Sequence, residues 1–107
     1  MYARIAKITT ENSDDWELIP NFVHELRTNS MYRFIIEDLM ARPGFIKKEH
    51  TLCEDNTGQT FFSTINFDTK ENFDSYINEE ANQSIWIYLE LTAQQKGLII
   101  TIEDKEV

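Results

Sequence analysis

The sequence predicts a single α+β domain in which helices cover one face of a four-stranded antiparallel sheet, in the order β-α-β-β-α-β. Three observations carry this. Residues 45–53 and 60–67 are rich in aromatic and β-branched side chains and flank a run of turn-forming residues, which reads as a hairpin. Apolar residues recur at helical spacing on both sides of that hairpin. β-Branched segments stand near both ends of the chain and complete the sheet.

Taken in order, residues 2–9 form the first strand, with Ile5 and Lys7 on one parity and Ala6 and Ile8 flanking them. Glu11-Asn12-Ser13-Asp14-Asp15 is a polar break whose side chains bond nearby backbone N–H groups, leaving Trp16 on a turn. Pro20 has no N–H, so the helix begins near Leu18 or Ile19. Ile19, Phe22, Val23 and Leu26 mark one helical face, and Met31, Phe34, Ile35 and Leu39 mark a second that is out of phase with it. A kink is expected at Thr28-Asn29-Ser30, whose side chains compete for backbone hydrogen bonds. Arg42-Pro43-Gly44 stops the helix. After the hairpin, Asp68 and Glu71 read as a capping pair, and Phe73, Tyr76 and Ile77 as the buried face of a short helix from about Thr69. Asn82-Gln83-Ser84 is expected to interrupt it before a second helical piece over 85–96. Gly97 then ends that piece ahead of a last strand over 98–103. Within about 100 residues, this order is the ferredoxin-like arrangement.

Composition limits what such a domain can do. At 107 residues and 41% hydrophobic, the chain reads as one domain, 1–107, with a core sufficient to fold without disulfides or metal. Its net charge is −9, which repels phosphate backbones and anionic headgroups, so neither nucleic acid nor membrane is an expected partner. The asymmetry is strong: residues 1–53 stand at −1 and 54–107 at −8, which reads chiefly as a solvated acidic face. Apolar runs such as Leu98-Ile99-Ile100 fall far short of a membrane span, and Met1-Tyr2-Ala3-Arg4 has no apolar signal core. A cytoplasmic location is expected. The single Cys53 cannot form an internal disulfide, and its anionic neighbours Glu54 and Asp55 disfavour a reactive thiolate.

Several details narrow the fold. These are the helix stop Arg42-Pro43-Gly44-Phe45, the strand end Asn66-Phe67-Asp68, the helix start Glu71-Asn72-Phe73-Asp74-Ser75-Tyr76 and the extra helical segment before the last strand. Together they resemble the dimeric α/β barrels of the antibiotic biosynthesis monooxygenase-like family, and the likeness covers nearly the whole chain. The resemblance implies a homodimer with facing sheets, which would explain why Phe61 and Phe62 put apolar surface on both faces of one strand. It also implies a pocket between helices and sheet for a small aromatic or quinol-type molecule, with no metal or organic cofactor. Haem-degrading relatives carry an Asn on the first strand, a Trp and, ten residues on, a His. Here those positions hold no Asn, Tyr76 and Trp86, which argues against haem degradation.

His50, on the parity of Ile46 and Leu52, is the candidate catalytic residue, a proton acceptor titrating near neutral pH. A structural, hydrogen-bonded histidine is the plainer alternative. Tyr76 and Trp86, with Tyr88, would stack against a flat substrate, although aromatics at such spacing often serve only as core. Asn66 and Arg33 could orient a phenol or carbonyl oxygen, or simply face solvent. His24 reads as surface, and Glu79-Glu80 point apart on a helix and cannot act as a pair. Two functions follow: a cofactor-independent monooxygenase-like protein, or a non-catalytic dimer that binds a small ligand or serves as an interaction module.

Overall fold

A computed structural model describes residues 1–10, 17–55 and 58–107, so the expected polar break, the turn at Trp16 and the hairpin tip at Asn56-Thr57 lie outside the described residues. The elements are β1 (Tyr2–Thr10), α1 (Leu18–Thr28), α2 (Ser30–Met40), β2 (Phe45–Asp55), β3 (Gly58–Phe67), α3 (Lys70–Ile77), α4 (Glu80–Gln95) and β4 (Leu98–Glu106). The sheet runs β2-β3-β1-β4 with every pair antiparallel. This is the predicted ferredoxin-like topology, each of its two helical crossovers divided into two helices.

The first division lies at the expected kink. Thr28 Oγ1 donates back to the His24 and Glu25 carbonyls, and Asn29 turns extended (φ −80°, ψ 120°). The Asn29 Oδ1 then accepts from the Tyr32 backbone N–H at 3.2 Å, so one residue ends α1 and caps α2. Pro20 falls in the first turn of α1, where no intrahelical donor is lost.

The second division corrects the sequence reading. The cap of α3 is Thr69, whose side chain accepts from the Asn72 N–H, rather than Asp68. The break before α4 falls at Asn78-Glu79, four residues ahead of the expected Asn82-Gln83-Ser84. Asn82 is buried inside α4 and donates to the Tyr76 carbonyl at 2.8 Å, and Ser84 Oγ donates to the Glu80 carbonyl. Side-chain bonding that would compete with a helix instead joins α4 to α3 and to its own preceding turn.

Helices cover the sheet face presented by Ala6 and Ile8 of β1, Lys48 and His50 of β2, Phe61, Ser63 and Ile65 of β3, and Ile100 of β4. The core under them is in two parts. Ile8, Ile19, Phe22, Phe61, Ala93 and Leu98 pack toward α1, and Leu39, Ile65, Phe67, Phe73, Tyr76 and Ile77 toward α3. A β-bulge between Phe45 and Lys47 matters for what lies between the parts. It shifts the register so that Phe45 faces Phe67, and Lys48 and His50 face Ile65 and Ser63 on the helix side. The opposite sheet face bears Ile5, Phe62 and Ile99 among threonines and charges, and Ile99 is 44% exposed.

Candidate functional site

Between the two parts of the core lies an apolar chamber of about 50 Å³, room for a few water molecules. Beside it lies a groove of about 240 Å³ between the α1–α2 corner and α4, and Tyr32, Leu26, Ile35, Ile85 and Leu89 line both spaces. The two spaces thus adjoin across a shared wall.

Its polar groups come mainly from β2 and α2. Lys48 Nζ donates to the Tyr32 hydroxyl at 2.6 Å and stands 4.7 Å from the centre of that ring. Removal from water and, to a lesser extent, the Arg27 cation together lower the Lys48 ammonium to a pKa of about 8. The Tyr32 phenol is raised by burial, an effect that Arg27 partly offsets. His50 tilts against Phe61 with ring centres 5.1 Å apart. Although His50 has an exposed edge, lost hydration and then the Lys48 and Arg27 cations push it down to about 4. It is therefore neutral at pH 7 and does not titrate near neutrality, contrary to the sequence expectation.

Tyr76 and Trp86 form the wall toward α3 and α4. Tyr76 is 3% exposed, stacks on Phe67 at 5.6 Å, and its phenol is raised by burial. Among the described residues the buried Trp86 indole N–H completes no hydrogen bond, yet it approaches the Tyr76 hydroxyl closely enough to lower that phenol somewhat. Arg4 covers the Trp86 ring at 4.9 Å and is itself fixed to Asp104 by bonds of 2.7 and 2.8 Å.

Of the sequence candidates, His50, Tyr76 and Trp86 meet in this pocket, and Tyr88 lines its outer groove while remaining 60% exposed. Asn66 and Arg33 are not brought to it. Asn66 alternates with Ile65 and Phe67, so it projects to the opposite sheet face, where it is buried with its Nδ2 unpartnered among the described residues. Arg33 is exposed on α2, outside the pocket lining. The residues that sequence reasoning missed are Lys48 and Tyr32. Cys53 is exposed, as is His24. Among the described residues no group of three or more His, Cys, Asp or Glu is placed to hold a metal ion, and no helix is long and apolar enough to cross a membrane.

Fold and site together define a ferredoxin-like α+β domain with a largely apolar pocket beneath its helices. Solved structures of the same architecture include a Bacillus cereus protein provisionally named an antibiotic biosynthesis monooxygenase. It aligns over 100% of this chain and 91% of its own at 16% identity, with a TM-score of 0.62. A dimeric ferredoxin-like protein from an uncultured marine organism aligns over 99% of this chain and 94% of its own at 15% identity, with a TM-score of 0.57. SnoaB, a cofactor-independent oxygenase from Streptomyces nogalater, aligns over 99% and 91% at 8% identity, with a TM-score of 0.52. No protein-family profile and no curated protein matches the sequence. The antibiotic biosynthesis monooxygenase-like resemblance read from the sequence thus holds at the level of fold, which by itself does not assign a reaction.

Proposed function

We propose that the protein is a cofactor-independent, monooxygenase-like homodimer that acts on a small aromatic or quinol-type molecule in the pocket between helices and sheet. The observation that carries this reading is the chamber between the two parts of the core, where Tyr76 and Trp86 face the polar group formed by Lys48, Tyr32 and His50. SnoaB supports it as a cofactor-independent oxygenase of the same fold. A bicyclic ring is too large for the inner chamber, so it spans chamber and groove with its faces against aromatic and aliphatic walls.

A phenolic substrate supplies its own electrons. In converting a phenol to a quinone, dioxygen gives one oxygen atom to a ring carbon that loses its C–H bond, and the other leaves as water. The protein's part is to ionise the hydroxyl and hold the ring. His50, neutral at pH 7, is the proton acceptor in this reading, and the adjacent Lys48 ammonium makes the resulting oxyanion easier to form.

Titration with naphthoquinols, following tryptophan fluorescence and oxygen uptake together, tests the reading. Binding with stoichiometric oxygen uptake is expected. Binding without uptake beyond the protein-free rate would instead support the non-catalytic ligand-binding dimer, which the low His50 pKa favours because so weak a base removes a phenol proton poorly.

A further inference from the structure

We infer that the pocket selects ligands bearing an acidic oxygen, a carboxylate or an ionised phenol or enol, which docks beside Lys48 Nζ and Tyr32 Oη where chamber and groove meet. The inference rests on the reading that the pocket takes a small aromatic molecule, and it adds the chemical feature by which that molecule is chosen.

The charge pattern is its first support. Among the described residues, chamber and groove are lined by Arg27, Lys48 and His50 and by no Asp or Glu. In a chain with 19 acids against 10 bases, a pocket lined by two cations, Arg27 and Lys48, and by no carboxylate among the described residues runs against composition.

The second support is how the chain treats its other partly buried cations. Arg4 has both guanidinium contacts satisfied by Asp104, Arg42 is held between Asp38 and Glu79, and Lys96 meets Glu25 at 2.6 Å. Lys48 is likewise half-buried, but among the described residues neither it nor the exposed Arg27 forms an ion pair. Its only hydrogen-bond partner there is the neutral Tyr32 hydroxyl, which occupies one of three ammonium donors. A half-buried ammonium without a counter-charge is costly, and an anionic oxygen entering from the groove would supply the missing charge. Tyr32 lines both spaces and its hydroxyl holds the ammonium, whose side chain lines the chamber.

Calorimetric titration with 2-naphthoate and its neutral isostere 2-naphthamide tests this at pH 7. The acid should bind roughly ten- to a hundred-fold more tightly, the usual worth of a charged over a neutral hydrogen bond. In Lys48→Met, which keeps the side-chain length, the preference should vanish through weaker naphthoate binding while the amide is unaffected. A second measurement needs no variant. Of the groups facing Lys48, Arg27 on α1 carries a fixed charge, His50 on β2 is already neutral, and Tyr32 on α2 and Tyr76 on α3 ionise above their ordinary values. Naphthoate affinity in the unaltered protein should therefore fall between pH 7 and 10 as Lys48 deprotonates. Equal affinity for acid and amide, a preference that survives in Lys48→Met, or a flat pH profile would each overturn the inference. The oxygenase reading fails separately, on absent oxygen uptake with a bound naphthoquinol, and that failure leaves the acid preference standing.

Discussion

His50 and Lys48 are two residues apart on the helix side of β2, and the same loss of water weakens the charged form of each. For His50 the sign of the consequence is definite. The unfolded chain takes up a proton near pH 6.5 and the folded one only near 4, so between those values the unfolded state binds more protons. Stability is therefore lost as pH falls from about 6.5 to about 4. With screening at its exposed edge the His50 share is about 1 kcal/mol. Urea unfolding should show a midpoint that declines over this window and a shallower decline in His50→Gln. The sequence placed His50 on the correct side of its strand, because alternation is a local property. It did not reveal the low pKa, which depends first on water lost under the helices and then on the nearby Lys48 and Arg27 cations, the second of them brought from α1. Lys48 itself, between Lys47 and Glu49, reads as a solvated strand position. It shares the parity of His50, and its pairing with Ile65 across the hairpin shows it under the helices.

At the scale of elements, two glycines end segments by adopting φ of +78°, a region that L side chains enter at a cost. They differ in surroundings. A Cβ on Gly44 would come within 2.2 Å of Asp68 Oδ1 and 2.8 Å of Asn72 Cβ, whereas one on Gly97 would meet open space. Gly97→Ala should cost about 1 kcal/mol and Gly44→Ala about 2–4 kcal/mol in chemical denaturation, the excess reflecting the clash. Equal costs would contradict this packing of the α2–β2 turn onto the start of α3. Asn82→Ala should cost about 1–3 kcal/mol, because it leaves the buried Tyr76 carbonyl without its donor. The kink at Asn29 and the stop at Gly44 were legible because their causes are local. The boundary near Asn82 was not, since a polar run resembles a loop until tertiary contacts with Tyr76 and Glu79 satisfy it.

At the scale of the whole molecule, the element order and antiparallel sheet were legible from periodicity and turn chemistry, and the location of the pocket depended on the resemblance. The helix-free sheet face, with Ile5, Phe62 and the exposed Ile99, is where the proposed partner subunit would pack. Sedimentation equilibrium at micromolar concentration should give a dimer, and Phe62→Glu should shift it toward monomer. A monomeric unaltered protein would contradict sheet-to-sheet pairing without disturbing the ferredoxin-like order. In the proposed function, the pocket beneath the helices holds a flat aromatic ligand. Because the chain has two tryptophans, a Trp16→Phe variant leaves Trp86 as the sole indole reporter at that wall. Titration of this variant with naphthoquinols should give a saturable change in Trp86 fluorescence, accompanied by oxygen uptake above the protein-free rate. No saturable change across naphthoquinols, naphthols and naphthoates would contradict the claim.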